Sequence, residues 1–138
     1  MIELDEVRGR LDTLREGLGE MRGYLDIATR REVLAQLEEN AAKPDFWNDQ
    51  AAAKEVIAKT NAQRAFVRPF DELTRLLDDG ALMLELSESE SEGASRQQAL
   101  GEIVHMCDKS DVLFSKLRLQ SLLGGKLDLG ARAVEVLH

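Results

Sequence analysis

Leu4, Val7, Leu11, Leu14, Leu18, Met21 and Leu25 stand alternately three and four residues apart. No other feature constrains the fold as much. A seam with this period over three heptads belongs to a helix laid lengthwise on other helices. Gly9, Gly17 and Gly19 lie within it. Each lowers intrinsic helicity by about 1 kcal/mol relative to Ala, so packing has to hold this helix together. The seam fits either a core face within one chain or a homodimeric coiled coil.

The rest of the chain continues the helical pattern. Asp26 is a candidate N-cap for a second helix, its carboxylate accepting a first-turn N–H. Ile27, Leu34, Leu37 and Ala41 give that helix an apolar stripe, with Arg30, Arg31, Glu38 and Glu39 around it. Pro44 disfavours helical geometry at Lys43 and ends it. Asn48 is the candidate cap of a third helix, whose apolar face is Val56, Val67, Phe70, Leu73 and Leu77. Pro69 removes a hydrogen bond and predicts a kink or break near Phe66. Gly80 is a second weak point, after which the pattern resumes through Leu82, Leu84 and Leu86.

The acidic stretch "SESESEGAS" (87–95) connects to a last helix. Ser95 and Gln98 have the spacing of a capping box. Leu100, Ile103, Val104, Cys107, Phe114 and Leu117 form its apolar side, and Gly124–Gly125 stops it. "KLDLGARAVEVLH" (126–138) alternates and is rich in β-branched residues, as a short strand is. A lone strand has no edge partner, so the tail is expected to open a further, sheet-containing domain or to pair with another copy. The expected fold is all-α: an elongated antiparallel bundle of three to four helices over residues 1–125, with a strand-like tail over 126–138.

Composition limits the function. The net charge is −8, and aromatics make up only 4% of the residues. A free-standing nucleic-acid binder normally carries a basic patch, so contacts to protein are expected and direct nucleic-acid binding is not. A single cysteine, Cys107, builds neither a disulfide nor a thiolate zinc site. The N-terminus has no apolar signal core, and no run is long enough to span a bilayer. The chain therefore reads as cytoplasmic.

The sequence offers no catalytic, cofactor or metal constellation. His105 and Cys107, two apart on a helix, point in different directions. "LLGGKL" lacks the spacing and the Ser or Thr of a phosphate loop and reads as a helix stop. Glu85, Glu88, Glu90 and Glu92 read as a solvated acidic connection rather than a cation site.

"PDFWND" (44–49) sets Phe46 beside Trp47, the only tryptophan, between two helices. With Asn48 as cap, Trp47 occupies the hydrophobic-staple position facing Ala52. On that reading the pair plugs the corner, and Trp47→Ala costs about 3–5 kcal/mol. The rival reading is an exposed binding hot spot.

"MRGYLD" (21–26) followed by "PDFWND" (44–49) resembles the N-terminal region of the bacterial release factor 2 family. The resemblance covers essentially the whole chain, and release factor 1 lacks both motifs in this form. Tyr24, Asp26, Pro44, Phe46, Trp47 and Asn48 mark its two corners. It implies a helical domain of a protein that directs peptide release at UGA and UAA. That domain would face the GTPase-associated region of the large ribosomal subunit and the translational GTPase that recycles release factors. The tail resembles the start of the family's central sheet domain. The resemblance also suggests that Leu25-Asp26 coincides with the position of a programmed frameshift. The family's Ser-Pro-Phe and Gly-Gly-Gln motifs occur nowhere in the 138 residues, so no catalytic or codon-reading residue is carried over. The alternative is a free-standing coiled-coil adaptor that dimerises through the Leu4–Leu25 seam; a small enzyme is a distant third.

Overall fold

The computed structural model of the chain describes residues 1–125. The expected strand-like tail, 126–138, lies outside them. Four α-helices pack together: α1 (Leu4–Tyr24), α2 (Ile27–Ala41), α3 (Gln50–Glu88) and α4 (Ala94–Gln120). A π-helical turn, Ser121–Gly125, follows α4.

The seam of α1 faces inward. Val7, Leu11, Leu18, Met21 and Leu25 are buried, and Leu4 and Leu14 are half-buried against the same core. Opposite them lie Phe70, Leu73, Leu77 and Leu84 of α3 and Leu100, Ile103, Cys107, Phe114 and Leu117 of α4. Polar pairs set the directions. Arg8 with Glu88 and Arg15 with Asp78 make α1 antiparallel to the C-terminal half of α3. Arg31 with Asp71 and Arg64 with Glu38 make α2 antiparallel to its N-terminal half. Helices α1 and α2 therefore run end to end along α3, and the bend between them is not a reversal. Arg10 reaches both Asp108 and Asp111 at 2.7 Å, and the backbone of Ile2 exchanges two 2.9 Å hydrogen bonds with the Gln97 amide. These pairs set α1 parallel to α4.

Several local expectations change. Asp26 does precede α2, but its φ of 54° and ψ of 47° are left-handed and its carboxylate caps nothing. The turn comes from that one backbone setting, and the Asp26 carbonyl accepts the Arg30 N–H at 2.9 Å. Helix α3 runs unbroken through Pro69 and Gly80. Phe66, Val67 and Phe70 are buried on either side of the proline, and the carbonyl that loses its donor belongs to exposed Ala65. Packing on both flanks outweighs the missing hydrogen bond. At Gly80 an added Cβ would sit 3.3 Å from Leu11 Cδ1, so glycine here permits close approach of α1. Beyond it Leu84 is buried while Leu82 and Leu86 are exposed.

Ser95 and Gln98 form no capping box. Helix α4 begins at Ala94, with Gly93 as N-cap and no side-chain cap, which leaves Ser95 exposed inside the first turn. Gln97, one residue away from the expected partner, is occupied by Ile2.

The pairing of Gly80 with Ile103 places Gln120 at about the level of Gln63. The α2–α3 hairpin therefore continues past α4 for about 20 Å, at 1.5 Å per residue. Burial along α3 follows this change. Between residues 50 and 62 only Ala53 and Thr60 are buried, whereas Phe66, Val67, Phe70, Leu73, Leu76 and Leu77 follow in quick succession.

Candidate functional site

The two sequence corners occupy different places. Tyr24, Leu25 and Asp26 form the α1–α2 junction, against the middle of α3. Leu25 is fully buried, Tyr24 is half-buried against the core, and Asp26 is exposed. Pro44, Phe46, Trp47 and Asn48 lie at the far tip of the α2–α3 hairpin.

Arg30 holds the junction. It was expected on the solvated side of α2, but it is buried. Its Nε donates to the Leu25 carbonyl at 2.7 Å, its Nη1 lies 3.3 Å from Gln63 Oε1, and its guanidinium lies over the Phe66 ring. Burial pushes the guanidinium pKa down, and the Asp26 charge works against that shift. Its spacing was the available signal: Ile27, Arg30, Leu34 and Leu37 stand three, four and three residues apart on one face, whereas Arg31 falls off that register and pairs with Asp71 in solvent.

The tip departs from the expected plug. Asp49, rather than Asn48, caps α3 by accepting the Ala52 N–H at 3.1 Å. Residues Phe46–Asn48 form a 3-10 turn, closed by Phe46 N–H to Lys43 O and Asn48 N–H to Asp45 O. Successive side chains in such a turn point about 120° apart, so two adjacent aromatics cannot both face the helix pair. Phe46 is half-buried beside Ala53 and Val56. Trp47 is 63% exposed and touches Phe46 edge-on, with ring centroids 5.0 Å apart. The staple reading is therefore overturned, and with it the large cost expected for Trp47→Ala.

Among the described residues, groups with catalytic potential are not brought together. Cys107 is buried in the core, where desolvation pushes its thiol pKa up and makes it a poor nucleophile. His105 is exposed on α4, beside an open groove that Arg75 and Leu76 of α3 also line. Among the described residues no cluster of His, Cys, Asp or Glu could hold a metal ion, and no helix is long and apolar enough to cross a membrane.

No family model matches the chain. Its similarity to known proteins is nonetheless nearly end to end. It is 30% identical over 135 residues, 98% of its length, to peptide chain release factor 2 of Staphylococcus haemolyticus. The same identity and coverage hold for peptide chain release factor 2 of an Exiguobacterium species. For that of Acidithiobacillus ferrooxidans the identity is 31% over 136 residues. The chain spans about 35% of the length of the curated relatives it matches. Along almost its whole length, the chain is a homologue of a domain-sized part of bacterial peptide chain release factor 2.

Proposed function

We propose that this chain is the non-catalytic helical module of a cytoplasmic translation termination factor of the release factor 2 type. The parent would direct peptide release at UGA and UAA. This module would dock onto protein around the GTPase-associated region of the large ribosomal subunit and onto the GTPase that recycles release factors. The observation that carries the reading is homology over 98% of the chain. Two physical features support it. A narrow hairpin projects past the three-helix part and presents an aromatic residue at its tip. The net charge of −8 disfavours bare RNA as a partner and favours basic protein surfaces.

The dimeric-adaptor alternative has less support. A homodimeric coiled coil needs a free seam, and Val7, Leu11, Leu18 and Met21 are already buried against α3 and α4.

The test adds the 138-residue chain in excess to a termination reaction run with full-length factor. Peptide release and factor recycling are both measured. The chain alone should release no peptide, and excess chain should slow recycling. Release by the chain alone would overturn the non-catalytic assignment. Unchanged recycling at high micromolar concentration, with no binding to ribosome or GTPase, would overturn the docking assignment.

A further inference from the structure

We propose that the hairpin tip, residues 42–49, is a docking site for a positively charged protein segment. A lysine or arginine side chain of that segment would lie across the Trp47 ring with its cationic head at Asp45. The inference rests on the docking function proposed above and names the site and the partner chemistry.

Three observations lead to it. The chain's single tryptophan lies in solvent, although a core of leucines and phenylalanines runs along α3 from Phe66 to Leu84. Hot spots are enriched in tryptophan because a rigid ring offers a large contact area at little entropic cost. The ring is also held in place before any partner arrives. Phe46 supports it edge-on, two backbone hydrogen bonds close the turn beneath it, and the Asp49 cap fixes the start of α3. On the Phe46 side of the turn is an open groove of about 230 Å³ lined by Phe46, Ala53 and Val56, with Asn40, Lys43 and Asp45 as its polar lining. An aliphatic stem fits such a groove.

Charge selects the occupant. Residues 38–49 carry Glu38, Glu39, Asp45 and Asp49 against the single cation Lys43. Arg64 neutralises Glu38, at 2.9 Å. Asp49 is engaged only by a backbone N–H, and neither Glu39 nor Asp45 has an ion-pair partner among the described residues. A tip with surplus negative charge around an electron-rich ring attracts an ammonium or guanidinium group and repels a phosphate backbone.

Co-sedimentation of the 138-residue chain with purified large ribosomal subunits, and separately with naked large-subunit RNA, tests the site. The variants are Trp47→Ala, Trp47→Phe and Asp45→Lys. Both positions are exposed, so circular dichroism should be unchanged and any loss of binding belongs to the surface. The wild-type chain should bind subunits and not naked RNA. Trp47→Ala should weaken binding about 10-fold or more, Trp47→Phe less, and Asp45→Lys should weaken it and flatten its salt dependence. If wild type binds subunits and both Trp47→Ala and Asp45→Lys bind equally well, the tip is not the site, while the docking function stands. Binding to naked RNA as strong as to subunits would overturn the protein partner. If wild type binds neither, the ribosomal part of the docking function fails and the tip fails with it as a ribosome-docking site.

Discussion

The guanidinium carbon of Arg30 lies 3.8 Å from the centroid of the Phe66 ring. This stack joins α2 to α3 just where the chain bends from α1 into α2. The same side chain donates to the Leu25 carbonyl, so one buried cation ties the bend to the long helix. A buried guanidinium is costly to desolvate, and it is retained where its hydrogen bonds and ring contact compensate.

Arg30→Ala should therefore destabilise the chain by about 2–4 kcal/mol. The change empties a core position and strands the Leu25 carbonyl. Arg30→Lys should recover only part of the loss, because an ammonium neither stacks flat on Phe66 nor reproduces the planar fork. Urea unfolding followed by circular dichroism measures both.

Asp26 provides a second test of the bend. A β-branched residue in the left-handed setting costs about 1–2 kcal/mol, whereas Asn tolerates it. Asp26→Val should lower the urea midpoint, and Asp26→Asn should leave it nearly unchanged. A midpoint for Asp26→Val equal to that of wild type would rule out the left-handed setting as the source of the effect.

The glycines of α1 and α3 should separate by environment. An added Cβ at Gly9 or Gly19 meets nothing within 4 Å. Gly9→Ala and Gly19→Ala should each stabilise by about 0.5–1 kcal/mol through helix propensity. At Gly80 the Leu11 methyl is already close, so Gly80→Val should destabilise by about 1–3 kcal/mol through overpacking. Thermal melts of the three variants decide this.

Trp47→Ala should leave stability within about 0.5 kcal/mol of wild type, as surface substitutions usually do. The fluorescence of Trp47 should be red-shifted and readily quenched by acrylamide in the folded chain. A large fall in the urea midpoint would put Trp47 back in the core.

Cys107 sets a pH dependence. Its thiol pKa is raised by burial in the folded state, so between the ordinary thiol pKa and the folded value the folded chain binds more protons than the unfolded one. The thiol's contribution to stability is complete below the ordinary value of about 8.5 and is lost as pH rises above it. Wild type should lose stability faster than Cys107→Ala above that pH. Equal slopes in parallel urea titrations would rule the effect out.

Much of this was legible in the sequence. The α1 seam and the apolar stripe of α4 fixed which faces would be buried, because a period near 3.5 leaves only one continuous apolar surface on a helix. Pro44 and the capping-type residues around positions 26 and 49 located the interruptions to within a residue or two. The paired motifs at 21–26 and 44–49 pointed to the family that the similarity of the whole chain then supported. Tertiary structure decided the rest. Periodicity states that a face is apolar and not what covers it, so the end-to-end run of α1 and α2 along α3 depended on one left-handed residue, Asp26. The register of Ile27, Arg30, Leu34 and Leu37 puts Arg30 on the apolar face and Arg31 off it, but only the position of Phe66 across the interface shows that a guanidinium can be held there. At the tip, moving the cap from Asn48 to Asp49 and inserting a 3-10 turn rotated Trp47 away from the helix pair. A side chain that the sequence would place in the core therefore stands in solvent, because about 120° of rotation per residue in that turn left room inside for Phe46 alone.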